Sequence, residues 1–218
     1  NVNTSIDLAV EKFKKGTMPQ DCGDNFEFVS DNSALMRILP VALLCHNYNI
    51  IGRQRYELVS EITKLTHANE KCIMANLIFV NFVCYLMDGF YPVIALQRTQ
   101  QECYNFFSDA CVARYDRLLI GNIAELPEDE IRSTSDVIDT LEAAIWSLIT
   151  TRNYETAVIR AVNLGSDSAA VGALTGAIAG VYYSEHAIPR RWLDLVKKIK
   201  EIKEIAISFA KTDVTFEL

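Results

Sequence analysis

Apolar residues recur at intervals of three and four along most of the chain, which is the spacing of one face of an α-helix. Runs that alternate apolar and polar residues, as strands do, are scarce. The pattern therefore predicts an all-α protein. The predicted helices span residues 5–15, 34–47, 53–66, 69–87, 92–113 with a possible break, a short turn at 127–130, then 135–150, 153–163, 169–183 and 189–211.

The sequence shows no change of composition, flexible linker or internal repeat that would divide it. We therefore expect a single domain over residues 1–218, folded as a compact helical bundle. Half of the residues are apolar, so a substantial core can be buried. The apolar stretches 73–87 and 169–181 are shorter than the roughly 20 residues that a membrane span needs. We expect buried core helices there and no membrane partner.

The chain carries a formal net charge of -7, and its basic residues form no run longer than the pairs Arg190-Arg191 and Lys197-Lys198. A nucleic-acid groove needs a coherent basic stripe, so we expect no nucleic-acid partner. The six cysteines are scattered singly and form no C-x-x-C pair, which argues against a zinc site. Buried reduced thiols are the favoured interpretation, and a cytoplasmic location follows from it.

The last predicted helix carries an apolar stripe with lysines between its members. Such a stripe favours an ordinary helix that lies on its own core, and docking of a partner is the alternative. The stripe consists of Leu195, Ile199, Ile202, Ile205 and Phe209.

The helix predicted at 169–183 contains Gly172, Gly176 and Gly180 at four-residue spacing. Each glycine costs about 1 kcal/mol in a helix interior, so the three predict that another element packs closely on this face. The segment Gly165-Ser166-Asp167 precedes the helix. Such a segment can bind an anion or a metal, or it can cap the helix. Taken alone, its composition favours capping by Asp167 or Ser166.

Four motifs occur in order between Asn32 and Trp192 and together indicate a family. The first is Asn32-Ser33-Ala34-Leu35-Met36-Arg37, and the second is Thr66-His67 before a long apolar helix. The third is Asp139-Thr140-Leu141-Glu142-Ala143-Ala144-Ile145-Trp146. The fourth begins with Asn163-Leu164-Gly165 and Asp167, and continues through Tyr182-Tyr183 and Ile188-Pro189 to Trp192. This set resembles the ADP-ribosylglycohydrolases, also called ADP-ribosyl-acceptor hydrolases.

The resemblance implies the helical fold of that family and hydrolysis of an ADP-ribose linkage with two magnesium ions. Carboxylates and threonine hydroxyls hold those ions in the family, as suits a hard cation. His67 taken alone favours a structural hydrogen-bonding role. The resemblance implies substrate-binding positions at Asn32, Ser33, Ala34, His67, Asn163, Gly165 and Ser166, and a residual metal ligand at Asp167.

The sequence departs from the family pattern at the metal ligands. Ala169 and Ala170 stand where the family has an aspartate and a threonine, and methyl groups cannot coordinate magnesium. Ser33 and Ser166 replace family glycines. The early Thr-Asp-Asp motif does not occur, so we expect the chain to match the C-terminal two-thirds of the family fold without its first helices. We expect no cofactor, with magnesium bound only if the protein is active.

Three functions follow from these observations. The favoured one is a catalytically inactive family member that binds a protein partner, for example an ADP-ribosylating toxin or an ADP-ribosylated target. The second is a magnesium-dependent hydrolase that removes ADP-ribose from proteins and whose N-terminal segment is supplied separately. The third is a sensor that binds ADP-ribose or a related nucleotide through Asn32, His67 and the 163–167 loop.

Overall fold

The computed structural model describes residues 4–26 and 29–212. These residues form helices and turns but no strand, and their only bridge pairs are Asp24 with His67 and Asp31 with Asp136. The prediction of an all-α fold is confirmed. The described helices are α1 (Thr4–Lys14), α2 (Leu39–Asn47), α3 (Gly52–Lys64), α4 (Glu70–Met87), α5 (Pro92–Gln100), α6 (Asp109–Val112), α7 (Asp116–Leu119), α8 (Val137–Ile149), α9 (Tyr154–Asn163), α10 (Ser168–Tyr183), α11 (Arg190–Leu193) and α12 (Ile199–Ala210).

Three predicted helices are divided in the structure. The break considered within 92–113 is present, because α5 ends at Gln100 and α6 begins at Asp109. The helix predicted at 34–47 is a 3-10 turn, Leu35–Arg37, followed by α2. Pro40 lies in the first turn of α2 and lacks the N–H that would continue the preceding turn. The helix predicted at 189–211 is divided into α11 and α12, because Lys198 has a φ of 61° that no α-helix interior contains.

Helix α4 lies at the centre of the fold and packs against α2, α3, α5, α6, α8 and α10. It is long and apolar enough to cross a membrane by length and composition, but 78% of its residues are buried inside the protein. The prediction of a buried core helix is confirmed. All six cysteines are free thiols, and all but Cys103 are buried.

The glycine face of α10 packs against α9, as the spacing predicts. A Cβ atom at Gly172 would lie 2.7 Å from Cγ1 of Val162, and one at Gly176 would lie 3.2 Å from the hydroxyl oxygen of Tyr154. Only hydrogen fits at Gly172 without displacing its neighbour. The close contact holds the intervening 164–167 segment between two packed helices.

Helix α12 contains no buried residue, so the favoured interpretation of its stripe as a core-packing face is wrong. Leu195 is 81% exposed and Ile205 is 69% exposed. Ile199 and Phe209 are half-buried, and polar contacts also connect this region to the rest of the chain. Lys203 pairs with Glu185, and the hydroxyl of Tyr48 donates to the carbonyl oxygen of Thr212 at 3.1 Å.

Candidate functional site

Asn32 is buried at the centre of the candidate site and joins three parts of the chain. Its Nδ2 donates to Oγ1 of Thr140 on α8 and to Oδ2 of Asp167 at the start of α10, each at 2.8 Å. Its backbone N–H donates to the carbonyl oxygen of Ser135 at 2.9 Å. The structure therefore brings the first, third and fourth sequence motifs into direct contact.

Asp167 occupies the N-cap position of α10, but its side chain makes no capping hydrogen bond. The prediction of self-capping by this segment is therefore wrong for Asp167. The carboxylate accepts the bond from Asn32 instead, because the buried amide of Asn32 also needs an acceptor. The backbone N–H of Asp167 donates to the carbonyl oxygen of Ser133 at 2.9 Å.

The loop before α10 turns through two residues with positive φ. Gly165 has a φ of 80° and Ser166 has a φ of 46°. Glycine adopts this left-handed conformation readily, whereas a side chain makes it costly, so the backbone at Ser166 is strained. The hydroxyl of Ser133 donates to the carbonyl oxygens of Leu164 and Gly165 at 3.2 Å each and holds the turn.

His67 is completely buried and belongs to a chain of polar contacts. Nη2 of Arg37 donates to Oγ1 of Thr66 at 2.6 Å, and that oxygen lies 2.7 Å from Nδ1 of His67. Because Thr66 accepts from Arg37, its own hydrogen is available to Nδ1, which leaves Nε2–H facing Oδ2 of Asp31 at 3.1 Å. This geometry favours the structural role for His67.

Asp31 is a central member of the site that the sequence motifs did not single out, although it directly precedes Asn32. Its carboxylate accepts from the backbone N–H of Ser33 at 3.0 Å and from the hydroxyl of Ser5 on α1. Burial alone would raise the pKa of Asp31, but the adjacent imidazole of His67 and the hydrogen bonds from Ser33 and Ser5 hold it well below its usual range. Asp31 is therefore an anion at neutral pH.

Asp136 is a second carboxylate that sequence reasoning missed. The Asp31 and Asp136 backbones are paired, and Oδ2 of Asp136 accepts from Nζ of Lys71 at 2.5 Å and from the hydroxyl of Ser30 at 2.9 Å. A lysine at this distance offsets the charge of the carboxylate. The site therefore contains two neighbouring carboxylates, each with its own donors.

The remaining predicted residues lie in different surroundings. Ala34 is buried beside Asn32, and Ser33 is half-buried. Asn163 is exposed and lines a different cleft of about 560 Å³ with Glu128 and Asp129. The structure therefore does not bring Asn163 to the Asn32 and Asp167 pair.

The described residues do not fit a centre with two magnesium ions. Within 4–26 and 29–212, no group of three histidine, cysteine, aspartate or glutamate side chains is placed to hold a metal ion. Ala169 and Ala170 offer no ligand atom, and Asp167 already accepts from Asn32. Magnesium gives up its waters reluctantly and needs several well-placed oxygens, which this part of the chain does not supply.

Comparison with known proteins gives two relatives that share one name. The ADP-ribosylarginine hydrolase Tri1 of Serratia proteamaculans (strain 568) is 45% identical over 93 residues, which are 41% of this chain and 25% of that protein. The protein of the same name from Pseudomonas putida (strain GB-1) is 35% identical over 86 residues, 39% of this chain and 23% of that protein. The matched segments thus cover about a quarter of the length of these relatives.

A solved structure described as an ADP-ribosylglycohydrolase-related protein complex superposes with a TM-score of 0.78 at 26% identity. The superposition covers 94% of this chain and 68% of that chain. The family model described as ADP-ribosylglycohydrolase matches residues 2–215, a range that includes α1 as well as the four motifs. The chain belongs to the ADP-ribosylglycohydrolase family.

Proposed function

We propose that this chain acts by binding a protein partner and does not itself hydrolyse ADP-ribose linkages. The observation that carries the proposal is the pair Ala169 and Ala170 at the start of α10. They replace two of the ligands that the family motif supplies to magnesium. The ligand that remains, Asp167, is hydrogen-bonded to Asn32.

The two alanines also weigh against the second function, a hydrolase whose N-terminal segment is supplied separately. Adding carboxylates from another segment does not restore the oxygens missing at Ala169 and Ala170. A divalent ion in a half-built site keeps most of its waters and is held weakly. Magnesium titrated into the chain should therefore give no binding heat.

The exposed apolar surface after α11 supports a protein partner. Five large apolar side chains between residues 195 and 207 are each more than 40% exposed. Large apolar side chains exposed close together in the chain are a common feature of interaction surfaces. Its members are Leu195, Val196, Ile202, Ile205 and Ile207.

The test is an assay of ADP-ribose release from an arginine-ADP-ribosylated protein in the presence of magnesium. We expect release at the level of buffer alone, with an active family hydrolase as the positive control. The double variant Ala169→Asp/Ala170→Thr gives a matched comparison for magnesium binding by calorimetry. Release of ADP-ribose by the unaltered chain well above the buffer level would contradict the proposal.

ADP-ribose binding without hydrolysis is the second candidate, because the turn at Gly165 and Ser166 lies next to the contact between Asn32 and Asp167. A ligand at one hundred times its dissociation constant stabilises a protein by roughly 2.7 kcal/mol. Thermal unfolding with ADP-ribose should then show a shift that Asn32→Ala removes. The absence of any shift at millimolar ADP-ribose excludes this candidate.

A further inference from the structure

The fold assembles a group of basic residues that are dispersed in the sequence. Lys71 on α4, Arg114 before α7, Arg117 on α7 and Arg132 before α8 line one cleft of about 430 Å³. A cleft of this size suits a small ligand and not a polymer. The basic group lies on a chain whose net charge is -7, so it stands out from the rest of the protein.

Carboxylates on the adjacent face of α8 balance most of these cations. Lys71 pairs with Asp136, and Nε of Arg117 lies 3.1 Å from Oε2 of Glu142. Asp139 accepts from the hydroxyl of Thr134. With every group ionised, the lining carries four positive charges against three negative ones.

Arg132 is the member of this lining best placed to meet a ligand. Its side chain is exposed, and it forms no ion pair with any residue in the described ranges. Arg117 is bound more firmly, since it also donates to the carbonyl oxygen of Glu130 at 2.9 Å. An arginine guanidinium presents paired N–H donors that match the oxygens of a phosphate or sulfate group.

Glu142 is the buried member of the lining and adjusts the charge of the cleft. Burial, opposed by Arg117 and Arg132 and reinforced by Asp139 on the same helix, raises the pKa of Glu142 to about 7. Lys71, Arg114 and Asp136 complete the charged groups that face the cleft. Protonation of Glu142 releases Arg117 from its ion pair and leaves four positive charges against two.

We propose that this cleft binds a dianionic phosphate-like group of a small ligand, and that protonation of Glu142 strengthens the binding. The cleft shares Lys71 and Asp136 with the candidate site, but the proposal uses neither Asn32 nor Asp167 and does not rest on the proposed function. Arg132 and the released Arg117 would donate to the oxygens of the ligand, and the neutral Glu142 would no longer compete for Arg117.

Calorimetric titration with sulfate tests the proposal, because sulfate keeps its charge between pH 6 and pH 8 while inorganic phosphate does not. If binding requires the protonated form, the apparent affinity should be about tenfold higher at pH 6 than at pH 8. Arg132→Gln should abolish binding at both pH values. Arg53→Gln is the matched control, since Arg53 is an exposed arginine paired with Glu57 outside the cleft; it should leave the affinity unchanged.

The variant Glu142→Gln separates the charge effect from a general effect of pH. It mimics the protonated acid, so sulfate should bind at pH 8 as tightly as the unaltered chain binds at pH 6, with no remaining pH dependence. Thermal unfolding confirms that each variant folds. The proposal fails if sulfate does not bind at pH 6, or if Glu142→Gln keeps the pH dependence of the unaltered chain.

A competition arm identifies the source of the dianion. If ADP-ribose displaces sulfate and still binds to the Asn32→Ala variant, the cleft binds the diphosphate of a nucleotide sugar. If inorganic pyrophosphate displaces sulfate and ADP-ribose does not, the cleft binds a free oxyanion. If ADP-ribose binding requires Asn32 and leaves sulfate bound, ADP-ribose binds at Asn32 and sulfate binds separately in the basic cleft.

Discussion

Helices α4 and α12 both carry large apolar side chains, but their surroundings are opposite. Helix α4 packs against six other helices and buries most of its side chains, whereas α12 buries none. The hydrophobic pattern therefore predicts that a segment is helical and which face is apolar. It does not predict which surface covers that face, because the packing partner comes from elsewhere in the chain or from another molecule.

The largest effect should follow from shortening a side chain of α4. Ile78 is fully buried, so Ile78→Ala removes apolar contacts and leaves a cavity. We expect the free energy of unfolding to fall by about 2 to 5 kcal/mol. Urea denaturation measures the loss, and a loss below 1 kcal/mol would mean that the neighbours of α4 collapse into the space.

A somewhat smaller effect should come from the buried charge of Glu142 on α8, which packs against α4. Its pKa of about 7 in the folded chain exceeds the ordinary value of 4.5, so the folded state holds the proton more tightly. The stability contributed by the proton is complete below pH 4.5 and is lost as the pH rises through 7. The difference amounts to about 3 kcal/mol.

Urea denaturation of the unaltered chain and of Glu142→Gln across this pH range measures that contribution. Relative to Glu142→Gln, the unaltered chain should lose free energy of unfolding as the pH rises through 7. If the free energies of unfolding of the two proteins instead change in parallel with pH, the pKa of Glu142 is not raised. That result would also contradict the role of its protonation in the cleft.

A moderate effect is expected where α10 meets α9. Gly172→Ala places a methyl group against Val162 and should lower the free energy of unfolding by about 1 to 2 kcal/mol, even though alanine favours the helix. Gly180→Ala is the internal comparison, because its nearest neighbour lies 4.0 Å away and the better helix propensity should add up to about 1 kcal/mol. Equal effects of the two changes would contradict the close packing at Gly172.

The smallest effect should be found on α12. Ile205→Ala alters an exposed side chain and should change the free energy of unfolding by less than about 0.5 kcal/mol. The measurement is the same urea denaturation used for Ile78→Ala. A loss approaching that of Ile78→Ala, particularly one that depends on protein concentration, would show that another copy or segment covers α12.

Several parts of the fold were predictable because the information is local. The apolar run of α4 predicts a buried core helix, and the glycine spacing of α10 predicts close packing on one face. Both predictions are confirmed. The boundary at Lys198 was not predictable, since no glycine or proline marks it. The periodic apolar residues continue through that boundary.

The candidate site was predictable only in part. The family motifs identified Asn32 and Asp167, and their contact follows from the motifs meeting in space. Asp31 and the pairing of Lys71 with Asp136 carried no separate signal. The basic cleft could not be predicted from the sequence either, because Arg117 and Arg132 come close to Glu142 only in the folded chain.

The turn at Ser166 has one further consequence. A serine held in the left-handed region costs the folded chain roughly 1 to 2 kcal/mol that a glycine would not cost. The conformation persists because Ser133 and the packed helices on either side impose it. The shape of this loop is therefore imposed by the surrounding scaffold, so a change of side chain within the loop should leave its backbone in place.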